Sequence, residues 1–366
     1  MTENGISNNA PSTGGIWQLC PAKGDAPSPR SFPAVGSIGN TIYLFGGIYD
    51  PFGSPRGHSP LNDLYSFDTS DYSWNRLSPE GEVPGVRGFS ASIGVDEVNR
   101  FYVFGGATYQ NPDYSDFRAH SDLWEYDSES NTWSLLHPVG PVPSARSVAH
   151  LWLVGRTLYL FGGISPPYFQ CMNDLWAYDI DSNKWEEIIP NGSPEAPIGR
   201  CQVAGGVGPI DGKLLIHGGE RFDAESGLFR WLPDTWQYDL AAGQWSDITQ
   251  AVTPARQNWG SSVVIDNSLY LHGGEQPYDR ESPLAGSSGC GAPFPQNPTD
   301  HIWRFDLKDQ AWTELCPDGD PGAALKRTNS SAVDGVMYIF CGYGWRCRKP
   351  GDPGQLWNTD VYSYVP

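Results

Sequence analysis

The sequence predicts an all-β, six-bladed β-propeller closed by pairing its N-terminal strand into the last blade. Three observations lead there. An apolar strand ending in a glycine pair occurs five times, with a degenerate sixth copy. A tryptophan stands six residues after an aromatic–Asp pair in five of those copies. The last copy lacks its final strand, and a strand of the missing type stands near the N-terminus.

The glycine-pair strands are Tyr43-Leu-Phe-Gly-Gly47, Tyr102-Val-Phe-Gly-Gly106, Tyr159-Leu-Phe-Gly-Gly163, Leu215-Ile-His-Gly-Gly219 and Tyr270-Leu-His-Gly-Gly274, with Tyr338-Ile-Phe-Cys-Gly342 as the sixth. Glycine allows inner strands to crowd and turn where a side chain would clash. A variable loop follows each copy. Then comes a second strand: Asp63-Leu-Tyr-Ser-Phe-Asp68, Asp122-Leu-Trp-Glu-Tyr-Asp127, Asp174-Leu-Trp-Ala-Tyr-Asp179, Asp234-Thr-Trp-Gln-Tyr-Asp239 and Ile302-Trp-Arg-Phe-Asp306. Its closing Asp is suited to a tight hairpin because the carboxylate bonds nearby backbone. The spaced tryptophans, Trp74, Trp133, Trp185, Trp245 and Trp312, are expected to pack flat between neighbouring blades. A four-stranded unit cannot bury both faces alone, and stacking six around an axis does so.

The sixth copy ends with Asp360-Val-Tyr-Ser-Tyr-Val365. Near the other end, Ile16-Trp17-Gln-Leu-Cys-Pro21 reads like Ala311-Trp312-Thr-Glu-Leu-Cys-Pro317 with one residue fewer. Pairing the two termini would close the ring and remove free edges. Residues 14–366 are therefore read as one propeller, and the polar stretch 1–13 as a disordered tail.

Composition agrees. The chain has 366 residues with Gly 43, Pro 32, Trp 15 and Tyr 18, a vocabulary of short strands and many turns. Its net charge of −19 opposes binding to nucleic-acid backbones or anionic membranes. No basic start followed by an apolar run marks a signal peptide, and no run is long enough to span a bilayer. Seven scattered cysteines without Cys-x-x-Cys spacing read as reduced thiols of a cytoplasmic protein.

The Phe-Gly-Gly, Asp-Leu-Trp, Tyr-Asp and spaced-Trp signature resembles kelch repeats over roughly residues 16–366. That resemblance implies that loops after the glycine pairs and loops entering the inner strands share one face around the channel mouth.

Two features gather on this face. The first is an arginine series, Arg30, Arg87, Arg146, Arg200, Arg256 and Arg327, one per blade near the start of the innermost strand. Six guanidiniums around one mouth would suit a carboxylate or sulfate. The plainer reading pairs several of them with loop acids. The second is acidic: His217-Gly-Gly-Glu220 and His272-Gly-Gly-Glu275, the latter continuing to Asp279 and a long loop to about residue 299. Long loops in compact folds often carry function. His217 and His272 occupy the slot filled by phenylalanine elsewhere and read as core residues. Asp116 and His120 would share a face if their loop were helical, but a capping role in a solvated loop is the plainer expectation.

The Glu275 loop resembles that of plant specifier proteins, kelch propellers that steer unstable glucosinolate aglycones towards nitriles, epithionitriles or thiocyanates. The resemblance implies ferrous iron held by Glu-x3-Asp-x3-His. Glu275 and Asp279 match the first two ligands, while Pro283 stands where the histidine would be. Glu220, Glu281 or Asp223 would then have to complete a divalent-metal site, Fe(II) being the metal that the resemblance implies.

No phosphate-cradling loop, Rossmann fingerprint or Gly-x-Ser-x-Gly elbow is present. Two readings stay open. One is an enzyme that binds a small anionic or partly apolar molecule through Arg30, Arg87, Arg146, Arg200, Arg256, Arg327 and Glu220. Glu275 and Asp279 would hold a metal or shuttle protons for a non-redox elimination, rearrangement or cyclisation. The other is an interaction module gripping an acidic peptide or partner protein with the same arginine and aromatic face.

Overall fold

The computed structural model describes residues 14–51, 57–111, 113–165, 170–223, 225, 228–254, 258–275, 298–346 and 354–366. Among the described residues, six largely antiparallel sheets of three to five strands follow one another along the chain, with four two-stranded hairpins beside them. Blade one runs from its inner strand Ala34–Ile38 outwards through Thr41–Tyr49, Ser59–Asp68 and Ser73–Leu77. Blades two, three and five repeat that meander from inner strands Ala91–Val95, His150–Val154 and Ser261–Ile265. In blade six, Asn329–Val333 pairs with Val336–Phe340, which pairs with Tyr362–Val365. Ile16–Leu19 then adds the outermost strand, in the register Ile16↔Val365 to Leu19↔Tyr362. The ring closes as the sequence predicts.

Blade four departs from the pattern. Its ladder holds Lys213–His217, Thr235–Asp239 and Gln244–Asp247, and its innermost segment joins through the isolated bridges Ala204↔His217 and Ile210↔Lys213 instead of a continuous strand. Two glycines explain why that segment is irregular. A Cβ on Gly205 would lie 2.5 Å from His150 Nε2, and one on Gly206 would lie 1.9 Å from Val264. Side chains from blades three and five thus fill the space that blade four leaves.

One contact recurs between blades. The residue before each glycine pair packs on the tryptophan of the next blade's outer strand. Ring centroids are 5.1 Å apart for Phe45–Trp133, 5.6 Å for Phe104–Trp185 and 5.0 Å for Phe161–Trp245. His217 packs likewise on Trp312 at 4.7 Å, His272 on Trp17 at 4.5 Å and Phe340 on Trp74 at 5.6 Å. The last two contacts cross the closure on either side of blade six. His217 and His272 are therefore core residues in phenylalanine slots, both buried, with burial pushing each imidazole down to about 3.

The hairpin reading of the closing Asp also holds. Asp68, Asp127, Asp179, Asp239 and Asp306 each accept a backbone N–H two or three residues further on, at 2.7–2.9 Å.

At the axis, six residues stand at the entrance of the inner segments with positive φ: Phe32, Phe89, Val148, Gln202, Trp259 and Arg327. Backbone bonds link them from blade to blade. The N–H of Phe32 donates to Arg327 O, Phe89 to Phe32, Val148 to Phe89, Gln202 to Val148, and Arg327 to Trp259, at 2.8–3.1 Å. This collar surrounds an axial cavity of about 150 Å³. The left-handed backbone is sparsely populated for such side chains and is held here by the collar's own hydrogen bonds.

Candidate functional site at the loop-face mouth

The bridges just outside the collar fix the register of the six copies: Ser31↔Ile48, Gly88↔Ala107, Ser147↔Ile164, Cys201↔Glu220, Asn258↔Glu275 and Lys326↔Tyr343. The residue before each first partner is Arg30, Arg87, Arg146 and Arg200, then Gln257 and Leu325. The arginine series is thus two populations.

Arg30, Arg87, Arg146 and Arg200 take the plainer of the two expected roles, pairing with acids. Each is buried and forked onto an Asp of the same blade, Asp63 within the third strand and Asp122, Asp174 and Asp234 directly before it, with shortest contacts of 2.5–2.7 Å. Each also donates to the carbonyl of the first glycine of its pair, at 2.9–3.1 Å. Asp122, Asp174 and Asp234 accept in addition the indole N–H of Trp124, Trp176 and Trp236. That explains the Asp-Leu-Trp motif: a buried guanidinium, its carboxylate and an indole tie the glycine turn to the third strand. Arg256 lies outside the described residues.

Arg327 is different. It occupies the collar position of Phe32, so its side chain enters the mouth instead of the blade. It pairs with buried Asp50, which also accepts a 2.9 Å hydrogen bond from Ser31 Oγ. Its guanidinium lies 4.2 Å from the Trp259 ring centroid and 5.8 Å from those of Phe32 and Tyr343. Next to it, Lys326 Nζ is 2.6 Å from Glu275 Oε2, both side chains being buried. Asn258 donates from Nδ2 to Glu220 Oε2 at 2.8 Å. Asp50, Glu220, Glu275, Lys326 and Arg327, from blades one, four, five and six, thus converge at one end of the channel. Tyr109, edge-on to His58 at 5.1 Å and stacked on Phe117 at 5.8 Å, belongs to the same surroundings.

Burial sets the protonation of this group. It raises Glu220 to about 8; an ionised Cys171 would add to the rise, while a hydrogen bond with Trp259 and the charge of Arg327 oppose it. It lowers Lys326 to about 8 against the pull of Glu275. The Asp50 carboxyl is also raised by burial, opposed by Arg327. With Glu220 protonated, two cations face two carboxylates and the cluster is neutral. With Glu220 ionised, it carries one buried negative charge in excess.

The sequence pointed to Glu220 and Glu275 but not to Lys326 or Asp50. The slot before the collar reads Ser, Gly, Ser, Cys, Asn, Lys through the six copies, so a lysine among small residues was the available signal. Asp279 lies outside the described residues, so its place beside Glu275 does too. Among the described residues, no three His, Cys, Asp or Glu side chains are placed to hold a metal. One oxygen of Glu275 already faces an ammonium where a cation would sit. The described residues by themselves do not fit a ferrous site. Asp116 caps its loop, accepting the backbone N–H groups of Gln110 and Asn111 at 2.9 and 3.0 Å, while His120 Nε2 meets Thr108 Oγ1 at 2.9 Å.

Comparison with known proteins gives the following. The KLHDC2/KLHL20/DRC7 Kelch-repeats domain family matches residues 11–163 and 52–274, together more than half of the chain. The N-(sulfonatooxy)prop-2-enimidothioate sulfolyase of Thlaspi arvense is 26% identical over 73% of this chain and 77% of its own length. The flagellar outer-arm dynein alpha chain of Chlamydomonas reinhardtii is 27% identical over 65% of this chain, which corresponds to 5% of that protein. Kelch domain-containing protein 10 of Xenopus tropicalis is 26% identical over 71% of this chain and 59% of that protein.

Proposed function

The chain belongs to the kelch-repeat family, and from that premise we propose that its loop-face mouth binds a small, partly apolar anion and directs a non-redox elimination, rearrangement or cyclisation of it. The observation that carries this reading is the place where the repeat breaks. Four copies keep an apolar residue after the glycine pair: Ile48, Ala107, Ile164 and Tyr343. The other two carry Glu220 and Glu275, whose side chains are met by Asn258 and Lys326 of the following copies. Propeller architecture needs no charge there, and burying charges is costly even when they are paired. Perturbed, buried titratable groups at a channel mouth are the usual mark of a working site.

In this reading Arg327 and Lys326 anchor the anionic group by exchanging partners with Asp50 and Glu275. Trp259, Phe32 and Tyr343 supply the apolar wall. Glu220, protonated near neutrality and oriented by Asn258, gives a proton to the leaving or rearranging group. A sulfate ester or carboxylate is the favoured substrate class. The name of the Thlaspi arvense relative, a sulfolyase acting on a sulfonatooxy compound, supports the sulfate.

The test is calorimetric titration with simple alkyl sulfates and carboxylates across pH 6–9, in buffers of different ionisation enthalpy. Binding should be linked to protonation near pH 8, and Glu220→Gln should remove the linkage while the protein stays folded. Absence of binding, or binding indifferent to both Glu220→Gln and Arg327→Gln, would refute the site. Binding of acidic peptides alone would favour an interaction module instead.

A further inference from the structure

Behind Glu220 two thiols from different blades meet. Cys171 ends the short hairpin that pairs Gln170–Cys171 with Ile164–Ser165 in blade three. Cys201 enters blade four, in the slot before the collar. The two side chains hydrogen-bond each other. Both also converge on one acceptor, the Glu220 carbonyl oxygen, which takes the Cys201 N–H at 2.9 Å and the Cys171 S–H at 3.8 Å.

Their exposure differs in a useful way. Cys171 is partly exposed and lines a surface cavity of about 360 Å³, together with Asn173, Asn191, Ser193 and Gly199. Cys201 is buried behind it. The hydrogen bond with Cys201 holds the Cys171 thiol below its ordinary value, with burial acting in the opposite direction. Cys201 is held well above its own by the same bond and by burial. An accessible thiol inclined to ionise, backed by a protonated partner in contact, is the arrangement of an attacking and a resolving cysteine.

We infer that Cys171 and Cys201 form a reversible redox pair, oxidised by peroxides to a disulfide that couples the surface cavity to the Glu220 site. The Cys171 thiolate attacks one oxygen of hydrogen peroxide and expels hydroxide, which is protonated to water, leaving a sulfenic acid on Cys171. The Cys201 sulfur then attacks Cys171 Sγ. The S–O bond breaks, and the thiol proton leaves with the hydroxyl as a second water. Two thiols and one peroxide thus give one disulfide and two waters, and a thiol reductant reverses the change.

Bond formation draws the sulfurs in to about 2.05 Å. It removes the Cys171 S–H from the Glu220 carbonyl, and with it the negative charge that an ionised Cys171 would place near the Glu220 carboxyl. Oxidation should therefore lower the Glu220 titration midpoint, since that charge helps to raise it. The redox pair stands whether or not the mouth binds the proposed substrate.

The experiment is peptide mapping of the folded wild-type protein under non-reducing conditions, after stoichiometric hydrogen peroxide and alkylation of residual thiols. A cross-linked peptide pair containing Cys171 and Cys201 is expected, two mass units below the sum of its parts and abolished by dithiothreitol. Cys201→Ser should instead leave Cys171 as a dimedone-trappable sulfenic acid. Separate alkylation of Cys171 and Cys201 in peroxide-treated wild type would overturn the inference. So would faster oxidation of exposed Cys316 with Cys171 left intact. The link to the site is read from Trp259-sensitive fluorescence against pH: a midpoint lower in the oxidised protein supports it, and an unchanged midpoint removes the coupling.

Discussion

Lys326 and Glu275 form a buried ion pair, Nζ to Oε2 2.6 Å, in two neighbouring repeats; the equivalents of Lys326 are uncharged in every other copy, and those of Glu275 are apolar in all but blade four, which carries Glu220. Removing one member of such a pair leaves the other charge buried, which typically costs about 3–5 kcal/mol. Lys326→Met should therefore destabilise the propeller by that order. Lys326→Met/Glu275→Leu should lose clearly less than the sum of the two single substitutions. Urea midpoints of the three variants decide the matter, and additive losses would mean that the two side chains do not depend on each other.

Glu220 predicts an unusual pH dependence of stability. Its folded value of about 8 lies above the ordinary 4.5. Between those values the folded state binds the proton that the unfolded chain has released. The contribution is fully present below pH 4.5 and is lost as pH rises through 8. Stability should fall across that window, by at most about 1.4 kcal/mol per pH unit. Glu220→Gln should flatten the decline. A wild-type slope identical to that of the variant would show that Glu220 ionises normally.

Most of the fold was legible because its signals are local and repeated. The glycine pairs, the hairpin Asp and the tryptophans each do the same work in every copy, so one copy explains the others. The arginine series was less legible for a related reason. Distance from the glycine pair varies by a few residues between copies, and that tolerance merged the blade-locking slot of Arg146 with the collar slot of Arg327. Only the bridge register, which is a property of pairing between strands, separates them. Asp50 was invisible for another reason. Its partner Arg327 is 277 positions away, brought close by ring closure.

His272 should make the protein acid-labile in a way that a single substitution repairs. Burial holds its folded value at about 3, below the ordinary 6.5. The unfolded chain therefore binds a proton that the folded state refuses as pH falls below 6.5. Stability present above 6.5 is lost towards 3. His272→Phe restores the residue found before four of the six glycine positions and keeps the packing on Trp17. The acid limb of a denaturation-against-pH profile should shift downwards in pH, with little change at pH 7. An unchanged acid limb would assign acid lability to other groups, His217 and His150 among them, which burial also depresses.

The blade lock should discriminate arginine from lysine. Arg146 reaches both oxygens of Asp174, at 2.6 and 2.8 Å, and the Gly162 carbonyl at 3.0 Å. Asp174 also accepts the Trp176 indole at 2.8 Å. A lysine has one charged nitrogen and no planar fork, so it cannot make the two parallel bonds and also reach the carbonyl. Arg146→Lys should cost about 2–4 kcal/mol in urea denaturation, within the range for breaking buried charge networks. A cost below about 1 kcal/mol would show that the fork is not needed.

Ring closure rests on one short strand, and Trp17 is its anchor. The indole is buried, 4.5 Å from the His272 ring and 4.9 Å from that of Tyr364. The strand pairs over only four residues, Ile16 to Leu19, with further bonds from Trp17 N–H to Asp318 O and from Tyr364 Oη to Gly14 O. Trp17→Ala removes the largest apolar surface in the closure and should cost about 3–5 kcal/mol. Deleting residues 1–19 should cost at least as much. It also exposes Tyr362–Val365 as an unpaired edge, which invites association between copies. Light scattering and urea denaturation of the two variants test this together. Trp17→Ala should remain monodisperse with a lowered midpoint, because its backbone ladder is intact. The truncation should have the lower midpoint and self-associate. An unchanged midpoint in the truncated protein would mean that blade six holds without its fourth strand and that the ring does not depend on closure.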